Sequence, residues 1–263
     1  MRGENAMRKT LMILTLLVFV LPLSAYSVNT IKNSLHHDSN TSCITIKENQ
    51  RKWRRQTAKA NIIHSEGNGR EKVPVGISLD DLKNYNQAVI EGTIYNLEKM
   101  RSPQSMAYTK ASVHIDKVIS GDKSLKNKIV YLALDGGLVS FDDWYSESKH
   151  KAYGHNMLVK NDEFPLPIIG SKIITGLIPN NLDEPIELNN DLKRSGFTSK
   201  NSFTINTPQY NFWVKGPNAK EYRLNNPTLR KKNINGDYLV ESLQQLTKEI
   251  NRKFNDEKPK EHQ

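Results

Sequence analysis

The stretch ASVHIDKVISGDKSLKNKIVYLALDGG, residues 111–137, decides the fold. Ala111, Val113 and Ile115 alternate with polar residues, the two-residue period of a strand with one wet face. The phase then slips, because Val118 and not Lys117 is the next apolar residue. A slip of one residue turns every later side chain to the wrong face unless a bulge absorbs it. A bulge or bend is therefore expected near Asp116–Lys117. Ser120-Gly121-Asp122-Lys123 reads as a turn. Beyond it, Ile129 to Leu134 is a nearly unbroken apolar run able to bury both faces, and it stops at Asp135-Gly136-Gly137. Two strands joined by a surface loop are expected, the second more central than the first.

The same pattern continues outward. Upstream, Ala88 to Leu97 places Ala88, Ile90, Gly92 and Ile94 on one face, and the strand containing Ala111 extends over Met106–Ile119. Before them, Ser78-Leu79-Asp80-Asp81-Leu82 has a serine cap and carboxylates that complement a positive helix end. A short helix ending near Gln87 is expected, and the two aspartates read as structural. Downstream, Lys172–Ile178 is a strand, with shorter ones at Ser202–Asn206, Tyr210–Lys215 and Glu221–Leu224. From Asp237 onward, Leu239, Leu243, Leu246, Ile250 and Phe254 form an amphipathic helical stripe.

The expected fold is mainly β: an OB-like barrel of five or six strands, with a short N-terminal helix and a C-terminal amphipathic helix. Ile90, Val113, Ile115, Leu132 and Ile174 are expected to fill its interior. The series Val89–Ile94, Ser112–Asp122, Ile129–Gly137 and Leu166–Ile174 resembles small exported bacterial β-barrel domains with an OB-like strand order, mostly of unassigned function. That resemblance spans roughly residues 85–225. It implies a fold and a compartment, and it carries no catalytic residue.

Residues 1–27 have the layout of a secretory signal peptide: Arg2, Arg8 and Lys9, then a largely apolar run from Leu11 to Leu23, then Ser24-Ala25-Tyr26-Ser27. The run is shorter than the roughly 20 residues a spanning helix needs. A secreted or cell-envelope protein is expected, with no transmembrane span once the leader is removed. The whole chain has a formal net charge of +10, and +8 without residues 1–27. Cys43 is the one cysteine, so no intrachain disulfide can form. Residues 28–76, rich in Asn, Ser, Thr, His and Lys, read as a disordered basic linker. Residues 77–255 read as the barrel domain with its C-terminal helix, and 256–263 as a charged tail.

Two places offer chemistry. Arg51-Lys52-Trp53-Arg54-Arg55 sets four cations around an indole, suited to a polyanion if it is not merely solvated. Residues 138–164 form a long polar and aromatic insertion, and long loops in compact domains are often functional. Phe141, Trp144, Tyr145 and Tyr153 could form a ligand platform there, with Asp142 and Asp143 receiving cations or sugar hydroxyls, whereas a metal reading would use Asp142, Asp143, His150 and His155. The competing expectation is that Phe141 and Trp144 plug one mouth of the barrel. The histidine spacing fits neither H-E-x-x-H nor a zinc finger, so no metal and no cofactor is expected. The S-x-x-K matches at Ser146 and Ser148 lack the companion elements of serine penicillin-interacting enzymes. Lys215, Lys220, Arg223, Arg230, Lys231 and Lys232 form a second basic group. Together these point to a non-enzymatic exported binding or accessory protein. Its expected partner is an anionic cell-wall polymer or another exported protein, and export argues against nucleic acid. The alternative is a hydrolase or metal-dependent enzyme with its site in the insertion.

Overall fold

The structure, a computed structural model, describes residues 39–65, 75–147, 154–231 and 237–255. In chain order the elements are helix α1 (Ser39–Thr57), strand β1 (Asn61–Ser65), helix α2 (Leu79–Asn84), β2 (Ala88–Lys99), β3 (Tyr108–Gly121) and β4 (Ile129–Asp135). Then come β5 (Gly137–Ser140), α3 (Phe141–Trp144), β6 (Asn156–Asn161), β7 (Lys172–Pro179) and α4 (Glu187–Arg194). Last are β8 (Ser202–Thr204), β9 (Phe212–Lys215), β10 (Arg223–Leu224), α5 (Pro227–Lys231) and α6 (Tyr238–Phe254). The chain divides after Thr45, and Ile46–Gln263 form one unit; the architecture below is that of this unit.

Five strands close a barrel. β2 pairs antiparallel with β3, and β3 with β4. β4 pairs parallel with β8, β8 antiparallel with β7, and β7 antiparallel with β2. Numbered by order among the five, the staves run 1-2-3-5-4 and return to 1, with the parallel pair between the third and the fifth. This is the OB-like barrel the sequence leads one to expect. β7 also forks the sheet: its first half pairs with β9, and its last residues pair with β8.

The bulge lies where the phase slip places it. Glu91 opposes Lys117 while Gly92 opposes Ile115, leaving Asp116 as the extra residue. Gly92 suits this site, since a Cβ there would lie 2.7 Å from the His114 carbonyl. A second register shift falls at Val89/Ile90. α2 has its Ser78 cap, whose Oγ accepts from Asp81 N, and Asp81 in turn accepts from Ile77 N. Asp81 is therefore structural, and Asp80 pairs with Lys83 at the surface.

The barrel interior holds Ile90, Val113, Ile115 and Leu132 in one cluster, with Phe164, Ile169, Ile173 and Phe212. Ile174 is a correction. It lies in a separate cluster on the outer face, with Val89, Trp213 and Tyr222, beneath α6. Ile173 points inward instead. The cause is that residues 173–177 of β7 are all buried, so the run Ile-Ile-Thr-Gly-Leu shows no alternation to set the phase. On the outer cluster α6 buries Val240, Leu243, Leu246 and Ile250. Trp213 Nε1 donates to Thr247 Oγ1 at 2.9 Å, joining β9 to that helix.

The expectation of a disordered linker over 28–76 is also corrected for residues 39–65. Within it lie helix α1 and strand β1, the latter parallel to β6 in a three-stranded sheet with β5. The helix was hidden because two of its inward positions are polar: Asn49 Nδ2 donates to the Tyr95 carbonyl, and Gln50 Nε2 to the Ile169 carbonyl. Ile46 and Trp53 pack against the barrel cluster beside them. Hydrogen bonds to backbone carbonyls hold the helix where a wider apolar stripe would normally do so. Residues 1–38, including the expected signal peptide, lie outside the described residues, as do 256–263.

Candidate functional site

The inward face of α1 is spent on packing, which leaves its outward face. Arg51, Lys52, Arg54 and Arg55 are exposed, and so are Lys47 and Lys59, against one exposed acid, Glu48. The lysine and arginine ion pairs among the described residues lie elsewhere, at Asp80–Lys83, Glu91–Lys172, Asp116–Lys172, Asp191–Arg194 and Glu249–Lys253. The helix thus presents a ridge of cations that form no ion pair among the described residues. Trp53 does not stand among them as a solvated platform: it is half-buried, turned toward the barrel.

Turning inward takes Trp53 to the edge of a cavity of about 550 Å³. Trp53 and Thr57 form one side, Leu158 to Asp162 of β6 and the following residue the second, and Pro165 and Leu166 the third. Pro227, Thr228 and Lys231 of α5 close it. The volume is within the range of small-molecule and oligomer subsites. The lining combines the edge of an indole, two prolines and two leucines with Lys160, Lys231, Asn161 and Asp162. Asp162 is engaged by His64 Nδ1 at 2.8 Å, on the neighbouring strand β1. Asn161 is structural: its Oδ1 accepts from the amides of Glu163 and Phe164, and its Nδ2 donates to Asp135 Oδ2 at 2.6 Å. Burial pushes the Asp135 carboxyl above its ordinary value against that hydrogen bond.

Where it is described, the insertion departs from the expected plug of the barrel mouth. β5 and β6 form a hairpin arm, and Phe141 and Trp144 on α3 pack with Ile63 on Ala107, Val139, Met157 and Val159. They plug no barrel mouth; Phe164 and Ile169, from the segment before β7, join the barrel cluster. Phe141 and Tyr145 touch at 4.7 Å between centroids, and Tyr145 is exposed. Asp143 takes part in a local helix cap with Ser140: its carboxylate accepts from the Ser140 hydroxyl, and its amide donates to Ser140 Oγ. Asp142 is half-buried, and His155 is exposed, its carbonyl accepting from Phe141 N. His150 and Tyr153 lie outside the described residues. Among the described residues no three metal-ligating side chains converge.

The second basic group does not gather at one place. Lys231 lines the cavity beside Trp53, whereas Arg223 and Arg230 line a different groove. Lys215 lies 4.7 Å from the Tyr222 ring and donates to Asn255 Oδ1 at 2.9 Å. Lys220 is exposed, and Lys232 lies outside the described residues.

A cationic pocket of about 380 Å³ escaped the sequence reading. Lys99 and Arg101 at the end of β2, Lys110 on β3 and Arg194 on α4 line it, beside Glu98. Lys110 lies 3.9 Å from the Tyr131 ring centroid and donates to the Ser195 carbonyl at 2.8 Å. Burial holds its ammonium below the usual lysine range. Three separate elements supply these residues, so no local motif announces them. The pocket sits at the rim of the outer face of β3 and β4, the face that OB-folds commonly use for oligomeric ligands. Here α4 and its flanks cover that face, packing Leu182, Leu188, Leu192 and Phe197 on Tyr108, Tyr131 and Ala133.

No protein family, no curated protein and no solved structure matches this chain.

Proposed function

We propose that this is an exported, non-enzymatic binding protein of the cell envelope or extracellular space, and that it holds an anionic polymer. The observation that carries this reading is the two-faced helix α1: Asn49, Gln50 and Trp53 fix it to the barrel, and its cations face solvent without ion pairs among the described residues. A fixed cationic ridge attracts a polyanion at less entropic cost than the same charges on a loose arm. The cavity beside Trp53 gives the polymer a place to seat one repeat unit, with Lys160 and Lys231 for its charge and apolar walls for its backbone. The covered face of β3 and β4 directs the ligand away from the surface that a bare OB-like barrel would offer. The leader-like residues 1–27 support the compartment.

Polyphosphate and dextran sulfate resins test this. The protein should be retained at low salt and released as the Debye length falls, about 10 Å at 0.1 M salt and 3 Å at 1 M. Arg51→Gln/Arg54→Gln/Arg55→Gln should elute at clearly lower salt with an unchanged melting temperature. Equal retention of the triple variant would reject the helix as the binding surface.

A further inference from the structure

A groove of about 320 Å³ runs between β10, α5 and α6, on the outer side of the barrel. Its floor is apolar: Leu224, Leu229, Val240 and Leu243, all buried. Arg223, Arg230 and Lys248 stand along it, and no carboxylate is among its lining residues. None of the three cations takes part in the ion pairs of the described residues. Burial, and the neighbouring Arg223 guanidinium, hold Arg230 below the usual arginine range. Two guanidiniums around one apolar recess repel each other, and among the described residues neither has an ion-pair partner. Of the remaining lining, Thr247 is already engaged by Trp213 and by the Leu243 carbonyl, leaving Gln244 at the edge.

We propose that this groove binds a soluble single-chain amphiphile, its phosphate or carboxylate head between Arg223 and Arg230 and its chain along Leu224, Leu229, Val240 and Leu243. The guanidinium geometry suits a planar or tetrahedral oxyanion. The volume lies at the lower end of small-molecule sites, matching one short chain. The floor residues are recessed, so they cannot insert into a bilayer; the chain must come to them. This ligand differs from the polymer proposed for α1 and binds a different surface.

Calorimetry on the full chain with octyl phosphate, kept below its micelle concentration, tests the assignment. Inorganic phosphate and octanol serve as half-ligands, and phosphatidylglycerol vesicles as the membrane probe. One site for octyl phosphate is expected, with inorganic phosphate and octanol each binding more weakly by about tenfold or more. Arg223→Gln/Arg230→Gln should weaken binding by about tenfold through loss of charge-assisted hydrogen bonds. Gln244→Trp should block the groove from its edge without touching the core, and it carries the test alone if the double variant does not fold. No binding of octyl phosphate, equal binding of inorganic phosphate, unchanged affinity in the folded variants, or vesicle binding without monomer binding would each overturn the proposal. Retention on polyanion resin should be unchanged in Gln244→Trp, which keeps the two readings separable.

Discussion

The Tyr222 hydroxyl donates a 2.7 Å hydrogen bond to Glu91 Oε1, joining the segment before β10 to the barrel. Both residues are buried. Lys172 lies 3.7 Å from the same carboxylate, and Asn251 on α6 holds both the amide and the carbonyl of Tyr222. One phenol therefore links barrel, β10 and C-terminal helix.

Tyr222→Phe should destabilise the protein by about 2 kcal/mol, because a buried carboxylate loses its neutral donor. Urea unfolding measures this. In a cycle with Glu91→Gln, which keeps an acceptor and removes the charge, the two losses should fall short of additivity; strict additivity would show that the charge of Glu91 adds nothing to the hydrogen bond.

Gly121 has φ +86°, and a Cβ there would lie 2.0 Å from the Gln87 carbonyl oxygen. That oxygen belongs to backbone entering β2 and cannot swing aside. Gly121→Ala should cost about 3 kcal/mol or more, from conformational strain and a forced shift together. Gly154, φ +79°, has nothing within 4 Å of the same position. Gly154→Ala should cost only the strain, about 1 kcal/mol. Thermal unfolding of the pair separates the two contributions.

Asp135 sets a pH dependence. Burial raises its carboxyl, so the folded state holds the proton more tightly than the unfolded chain does. Stability from this group is fully present below the unfolded value, about 3.9, and is lost as pH rises through the folded one. Asp135→Asn keeps an acceptor for Asn161 Nδ2 and removes the charge. The variant should therefore be more stable relative to wild type at pH 7 than at pH 3, its unfolding free energy being the larger by comparison at the higher pH. The negative charge of Asp135 also helps burial to raise the Tyr108 phenol. Spectroscopic titration of Asp135→Asn should show one tyrosine ionising at lower pH than in wild type.

Trp53→Ala should loosen α1 from the barrel. A half-buried indole warrants roughly half the loss of a fully buried one, about 2 kcal/mol. Limited proteolysis near residues 51–55 should accelerate, whereas the triple Arg→Gln variant of the same helix should resist cleavage like wild type.

The parts of this fold that were legible are those where one face is wet. The slip from Ile115 to Val118 disclosed the bulge because Ser112 and His114 marked the phase leading into it. Ile173 and Ile174 could not be assigned, since α6 covers the outer face that would otherwise have carried polar residues. α1 was missed because Asn49 and Gln50 make contacts that apolar residues usually make. Arg51 to Arg55 was visible as a charge run, but composition says nothing of the turn of helix that exposes the arginines and withdraws Trp53. The cavities were out of reach for another reason: Lys99, Lys110 and Arg194 meet only after β2, β3 and α4 have assembled.

The barrel is closed by β8, which has two partners on β4 and two on β7. The other staves are laced along six or more positions. Such a ring behaves as a hoop with a clasp. It fastens late in folding, since the clasp must travel back across roughly seventy residues to meet β4. It also undoes first, so amide hydrogens at Tyr131, which donates to the Asn201 carbonyl, and Phe203 should exchange by local opening while those of Ile90 and Val113 wait for the whole molecule to unfold.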